Sequence, residues 1–134
     1  MSQWTHVTGS IRFDTAHFFP EYDTEPKKEI SKAFRKDIPV GSEGAIEFKV
    51  FQTGKQEEWG GDAEWGSIVF FADLRDYGDE NSIYEWIVKS CQSLGKNWVR
   101  SMAIIIEVEY RGKFLVYDKY DDNYKSQILM KNLE

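Results

Sequence analysis

The first clear pattern along the chain is an alternation of apolar and polar side chains from Trp4 to Asp14. Val7, Ile11 and Phe13 fall on one side of this segment, and mostly polar residues occupy the positions between them. A period of two residues is typical of a strand with one buried face. The opposite, accessible side is predicted to carry His6, Thr8, Ser10 and Arg12.

A short helix and a second strand are predicted next. Thr24 can cap a helix from Glu25 to Lys36, Pro26 suits its first turn, and apolar residues recur at helical spacing. Alternation from Ile46 to Val50 then predicts the second strand. The polar, glycine-rich segment 54–66 is expected to be a flexible hairpin connection.

The segment from Ser67 to Leu74 is nearly all apolar and rich in residues that favour strands. Such a run is expected in the middle of a sheet that is covered on more than one side. Because both of its faces are apolar, the pattern leaves its register open. One of the two registers places Val69, Phe71 and Asp73 on the same face as the polar side of the first strand.

The strongest helical pattern follows, because Ser82-Ile83-Tyr84-Glu85 matches a capping box and Gly95 is placed to end the helix. Two further strands, Met102–Tyr110 and Lys113–Tyr117, flank a predicted tight turn at Arg111-Gly112. The apolar face of the helix is predicted to contain Ile83, Trp86, Ile87, Cys91 and Leu94.

This order of elements, with an extra carboxy-terminal strand, predicts an α+β fold. With right-handed crossovers it is the order of a ferredoxin-like antiparallel sheet that carries two helices on one face. The 134 residues are about one domain's worth, so residues 1–134 are expected to form a single domain. An acidic extension is predicted from Asp118, with a short helix at 126–133.

Composition and charge disfavour several classes of function. The longest apolar stretches, Ser67–Ala72 and Met102–Ile106, are far shorter than the roughly 20 residues of a membrane-spanning helix, so no membrane association is expected. The amino terminus has no secretory pattern, which predicts a cytoplasmic location. The net charge of -6 disfavours general nucleic-acid binding but leaves a small nucleotide open as a ligand.

No catalytic machinery is recognisable in the sequence. His6 and His17 are candidate general bases, yet neither lies beside a nucleophile motif. Cys91 has the position of a core residue, and with two histidines it offers too few ligands for a typical zinc site. The acidic stretch from Asp118 lacks the spacing of a calcium loop. We therefore predict a non-enzymatic protein with no cofactor and no metal.

Two segments combine features of an anion site. In Gly41-Ser42-Glu43-Gly44 the backbone amides could approach an anion, although a simple turn explains the glycines too. In Asp73–Gly78, Arg75 and the amides near Ser82 could meet a phosphate, unless Arg75 pairs with a neighbouring aspartate. Aromatic residues at element ends could stack on bases, anchor a partner or pack loops: Trp4, Trp59, Trp65 and Trp98.

Several segments together resemble a family of small, mostly uncharacterised proteins carried by bacteriophages. They are Trp4-Thr5-His6-Val7 with Arg12 and Asp14, Gly41-Ser42-Glu43-Gly44, Ala72-Asp73-Leu74-Arg75-Asp76-Tyr77, Trp86 and Val99-Arg100. The resemblance covers about residues 4–108, and no single motif in it is diagnostic. It implies a protein made in a bacterial host cytoplasm, and small accessory phage proteins often act by binding host components.

The leading hypothesis from this resemblance is a protein that sequesters a small nucleotide immune signal, of cyclic oligonucleotide or cyclic ADP-ribose type, and so counteracts anti-phage defence. The alternatives are a protein-binding inhibitor or nucleic-acid mimic that acts on a host enzyme, and a nucleotide hydrolase. A homo-oligomer is expected, because pockets between subunits can bury a small ligand. The predicted ligand-binding residues are Trp4, His6, Arg12, Ser42, Glu43, Arg75, Tyr77 and Arg100.

Overall fold

The computed structural model describes residues 2–14, 26–56, 63–95, 98–120 and 126–134. In chain order its elements are β1 (Trp4–Asp14), α1 (Pro26–Arg35), β2 (Val40–Gly41), β3 (Gly44–Ala45), β4 (Glu47–Gln56), β5 (Ala63–Arg75), α2 (Glu80–Ser93), β6 (Val99–Val108), β7 (Gly112–Tyr120) and β8 (Ser126–Asn132).

One antiparallel sheet of six strands, in the order β4-β5-β1-β6-β7-β8, forms the centre of the molecule. β2 and β3 pair separately as a two-residue hairpin. The predicted α+β class, with an antiparallel sheet and two helices, is confirmed. β5 lies inside the sheet, as its apolar sequence requires, but the middle of the sheet is the β1–β6 pair.

β1 spans the predicted residues Trp4–Asp14, and its predicted alternation is confirmed. Val7, Ile11 and Phe13 are buried, whereas Thr8 and Arg12 are exposed. β1 pairs with β5 on one side and with β6 on the other, so its polar side chains lie in the middle of one sheet face.

The core lies between the two helices and one face of the sheet, which we call the covered face. Phe34 of α1 meets Trp86 of α2 edge to face, with ring centroids 5.6 Å apart, and both rings contact Phe70 of β5. The Trp86 indole also donates from Nε1 to the Phe34 carbonyl oxygen at 3.1 Å. These contacts place both helices over the same side of the sheet.

The other side of the sheet, which we call the open face, has no described helix packed on it. Thr8 of β1 lies between Phe71 of β5 and Ile105 of β6, and these two apolar side chains are exposed. Alternate residues of β5 are buried on the covered face, so the register that puts Val69 and Asp73 on the open face is correct.

α2 begins at Glu80 and is capped by Asp79, whose carboxylate accepts the N–H groups of Asn81 at 3.1 Å and Ser82 at 3.2 Å. The capping box predicted to start at Ser82 is therefore wrong, because Ser82 lies within the first turn. The chain leaves the helix at Gly95, whose φ of 97° favours glycine. The predicted apolar face is buried: Ile83, Trp86, Ile87, Cys91 and Leu94.

The helix predicted at 126–133 is wrong, because Ser126–Asn132 forms β8 and pairs with β7. Ile128 and Met130 pack against the core, and strand alternation turns Leu129 towards the open face. A run of adjacent apolar residues satisfies a strand as well as a helix, and the partner strand decides between them.

Two further predictions are corrected at the ends of elements. The connection predicted over 54–66 is shorter, since β4 runs to Gln56 and β5 begins at Ala63. Its centre, residues 57–62 with Trp59, lies outside the described residues, as does His17. Asp118, the predicted start of an acidic extension, lies within β7, where its Oδ1 accepts the Met102 N–H at 2.7 Å.

Candidate ligand-binding site on the open face

The amino-terminal end of β1 places two aromatic rings next to each other on the open face. Trp4 and His6 are two residues apart on one strand, so their side chains project from the same side. Their rings are parallel to within 1°, with centroids 6.5 Å apart. Glu109 fixes the backbone of Trp4, whose N–H donates to Glu109 Oε1 at 2.9 Å. Parallel rings of this kind can stack on a nucleobase.

His6 lies between two acidic residues, Asp73 on β5 and Glu107 on β6. Its Nδ1 is 2.5 Å from Asp73 Oδ1. When the Asp73 carboxylate is ionised it can only accept a hydrogen bond, and the His6 ring then donates from Nδ1. Because both side chains are exposed, this contact orients the ring more than it stabilises the fold.

Arg75 is the cross-strand neighbour of Trp4. Its Nη1 is 3.0 Å from Glu43 Oε1, and its Nε donates to Ser2 Oγ at 3.1 Å. The ion pair predicted as an alternative for Arg75 therefore exists, but its partner comes from the β2–β3 hairpin and not from a neighbouring aspartate.

The hairpin at Gly41-Ser42-Glu43-Gly44 explains how Glu43 reaches Arg75. The Ser42 N–H donates to the Arg75 carbonyl oxygen at 2.9 Å, which docks the turn on the end of β5. A Cβ atom at Gly41 would lie 2.8 Å from that same oxygen, so the close approach requires glycine. The Ser42 amide therefore already has a backbone acceptor, and the segment forms a tight turn.

The structure brings six of the predicted ligand-binding residues to this end of the sheet: Trp4, His6, Ser42, Glu43, Arg75 and Tyr77. Tyr77 has a structural role at this end of the sheet. Its ring packs against the core, and burial raises the pKa of its hydroxyl. Its carbonyl oxygen accepts the Thr5 hydroxyl, which ties β1 to the loop before α2. We call Trp4, His6, Glu43, Asp73 and Arg75 the Trp4 cluster.

Arg12 and Arg100 do not belong to this cluster. Arg12 lies eight positions after Trp4 on the same strand, a separation of about 27 Å at the rise of an antiparallel strand. Arg100 lies near the same far end, with its Nη2 3.5 Å from Asp14 Oδ2. The two arginines mark the opposite end of the sheet.

Sequence reasoning placed Asp73 on the open face in one of two registers, but it did not count Asp73, Glu107 or Glu109 among the ligand-binding residues. Asp73, Glu107 and Glu109 all lie within one strand of Trp4 or His6. The signal for Asp73 was present, because an acidic residue near the end of an apolar strand has to face solvent. Together with Glu43 these groups outnumber Arg75, so the cluster offers more hydrogen-bond acceptors than positive charge.

The amino terminus of α2 is not open to an anion in the way the sequence suggested. The amides of Asn81 and Ser82 already donate to the Asp79 carboxylate. The hydrogen bond from Ser82 lowers the pKa of Asp79, which keeps the carboxylate ionised at the positive end of the helix. This end of α2 is satisfied by its own cap.

Among the described residues, His6 and Cys91 are the two side chains that were considered above for catalysis or zinc binding. Within the described ranges, His6 is not hydrogen-bonded to a hydroxyl or a thiol, and no three His, Cys, Asp or Glu side chains are arranged to hold a metal ion. Cys91 is buried on α2, and burial raises the pKa of its thiol. The His6–Asp73 pair can orient an imidazole, but no described nucleophile completes it.

In the described part of the chain, neither helix is long and apolar enough to span a membrane. Comparison with protein-family models, curated proteins and solved structures finds no match for the chain. The resemblance to bacteriophage proteins and the function it implies therefore stay predictions.

Proposed function

We propose that this protein is a non-enzymatic binding protein that captures a small nucleotide at the Trp4 cluster. One observation carries the proposal: the parallel rings of Trp4 and His6 lie next to Arg75 on the neighbouring strand. Stacking on an aromatic ring contributes about 1–3 kcal/mol per base, and a guanidinium is the side chain best suited to a phosphate.

The acidic residues of the Trp4 cluster would serve as hydrogen-bond acceptors for the nucleotide. Asp73 and Glu43 can accept hydrogen bonds from ribose hydroxyls or from the amino group of a base. A phosphate that binds Arg75 has to replace Glu43, whose side chain is 58% exposed. Because an exposed ion pair stabilises a protein by only about 0–1 kcal/mol, this exchange costs little.

The proposal also includes a ferredoxin-like topology, a bacteriophage origin and a cytoplasmic location. The strand order β4-β5-β1-β6, with α1 and α2 on one side, favours a ferredoxin-like unit that β7 and β8 extend. Bacteriophage origin and action against host defence follow from the sequence resemblance, and the cytoplasmic location follows from the amino-terminal sequence. They identify cyclic oligonucleotides and cyclic ADP-ribose derivatives as the first ligands to test.

The test is to incubate the protein with these nucleotides, measure its melting temperature, denature it by heat and analyse the released ligand by mass spectrometry. A raised melting temperature with intact ligand supports capture. Altered ligand contradicts the proposal and supports a hydrolase. No shift with any nucleotide also contradicts it and favours a protein partner.

Arg75→Ala should weaken binding of a ligand found in this way by about 1–3 kcal/mol, because a charged hydrogen bond to phosphate is lost. The change should leave folding intact, since Arg75 lies at the surface. Arg12→Ala is the matched control, because Arg12 lies on the open face at the far end of β1. Equal losses in the two variants, measured by calorimetry, would exclude Arg75 from the site.

A further inference from the structure

One row of residues on the open face crosses all six strands through neighbours in the sheet. It begins at Glu47 on the edge strand β4 and ends at Lys131 on the edge strand β8. Both charged residues are exposed. Between them lie Phe71, Thr8, Ile105 and Leu115. A mainly apolar centre between charged ends is the composition of a protein interface.

The adjacent row has a related arrangement of charge. It contains Asp73 on β5, His6 on β1, Glu107 on β6 and Lys113 on β7. β5 and β7 are each one strand in from an edge, and β1 and β6 are the two central strands. In both rows, each acidic residue therefore has a basic residue or a histidine at the same distance on the other side of the sheet centre.

We propose that the open face binds the open face of a second copy about a two-fold axis parallel to the strands, between β1 and β6. This operation reverses the strand order, so that β4 of one copy lies over β8 of the other. Phe71 then meets Leu115 across the interface. Three pairs of complementary groups are set opposite each other: Glu47 with Lys131, Asp73 with Lys113, and His6 with Glu107.

A two-fold axis that crosses the strands is disfavoured by the same charges. Such an axis places each strand over the same strand of the second copy and reverses the order of the rows. When it passes through the middle of the four rows, it sets Lys113 opposite Lys119 on β7. Like charges placed directly opposite each other are destabilising. The axis parallel to the strands creates no such opposition in these rows.

The area is adequate for a weak to moderate dimer. Five inter-strand spacings of about 4.8 Å and three two-residue steps of about 6.8 Å give roughly 500 Å² on each copy. The total of roughly 1,000 Å² is at the lower limit for a specific interface. Trp4 and Arg75 lie one row beyond the pairs and border the covered area, whereas His6 and Asp73 lie within it. The dimer needs no nucleotide to form, and a nucleotide that contacts His6 and Asp73 competes with the second copy for these two side chains.

Charge reversal of one pair gives a sharp test. Glu47 and Lys131 of the same chain are about 24 Å apart across the sheet, beyond the range of screened attraction. Glu47→Lys and Lys131→Glu should each weaken the dimer about ten-fold or more by opposing like charges, and the double variant should restore it to within a few-fold. Sedimentation equilibrium on the full chain without nucleotide measures the dissociation constants.

The matched control is Glu85→Lys, which makes the same change of charge on an exposed residue of α2. It should leave the dimer unchanged, and circular dichroism should show that all four variants are folded. A monomeric wild-type protein at high micromolar concentration would overturn the proposal. So would a double variant that is no tighter than the single ones. Neither result bears on nucleotide capture, which is measured on Arg75.

Discussion

The two faces of the sheet use similar residues for different purposes. Phe70 and Phe71 are adjacent in β5, yet the first is 1% exposed under the helices and the second is 45% exposed on the open face. Phe70 lies in a cluster of aromatic rings, whereas Phe71 borders polar Thr8. Burial on the covered face therefore supplies most of the hydrophobic stabilisation, whereas apolar side chains on the open face stay in contact with solvent.

Two ion pairs also differ in how far their side chains are buried. Arg111 contacts Glu80 at 2.8 Å and Arg75 contacts Glu43 at 3.0 Å, so the two pairs are similar in length. The Glu80 side chain is only 6% exposed, and its second carboxylate oxygen has no hydrogen-bond partner among the described residues. Removing the partner of a buried charge leaves that charge uncompensated and lowers stability, whereas an exposed charge is still solvated by water.

The largest expected effect comes from truncating the two phenylalanines. Phe70→Ala should lower the free energy of unfolding by about 3–5 kcal/mol, because it leaves a cavity between the helices and the sheet. Phe71→Ala should cost less than about 1 kcal/mol in the monomer, since its side chain is already in contact with water. Urea unfolding at low protein concentration measures both, and equal losses would contradict the division between the faces.

Much of this fold could be predicted from the sequence, where local pattern and tertiary packing agree. Trp4–Asp14 alternates cleanly and is a strand, and the apolar face of α2 is buried as its spacing indicated. The start of α2 was misplaced, because a Ser-x-x-Glu pattern inside the helix resembles a cap and Asp79 precedes it. β8 was missed, because nothing local shows that β7 offers an edge to pair with.

The candidate site was harder to predict, because it depends on register between strands. Arg75 and His6 were identified, but the contact of His6 with Asp73 requires the alignment of β5 against β1, which an apolar run does not reveal. Arg12 was assigned to the same site, although it lies eight positions after Trp4 on the same strand. The rise of a strand could have excluded it.

Loss of the arginine should affect the two ion pairs differently. Arg111→Met should lower the free energy of unfolding by roughly 1–3 kcal/mol, because Glu80 stays buried without its partner. Arg75→Met should change it by less than about 1 kcal/mol, because Glu43 remains in water. Thermal and urea unfolding of the two variants measure the difference, and a similar small effect in both would show that burial of Glu80 does not matter.

The smallest expected effect concerns the helix cap. Asp79→Ala should lower the free energy of unfolding by about 1 kcal/mol, because two amides in the first turn of α2 lose their acceptor. Asp73→Ala, the same change on the open face, should cost less than about 0.5 kcal/mol. Urea unfolding at about pH 7 compares them.

The Asp79 effect should also depend on pH, with a sign fixed by its pKa. Hydrogen bonding from Ser82 lowers the pKa of the folded carboxyl below the ordinary value of 3.8, so folding favours the ionised form. The stabilisation is then complete above that ordinary value and is lost as pH falls through the lowered one. The gap in unfolding free energy between wild type and Asp79→Ala should therefore close in acid. A gap that is constant down to about pH 2, well below the ordinary pKa of an aspartate, would mean that the side chain stabilises α2 by packing and not as an ionised cap.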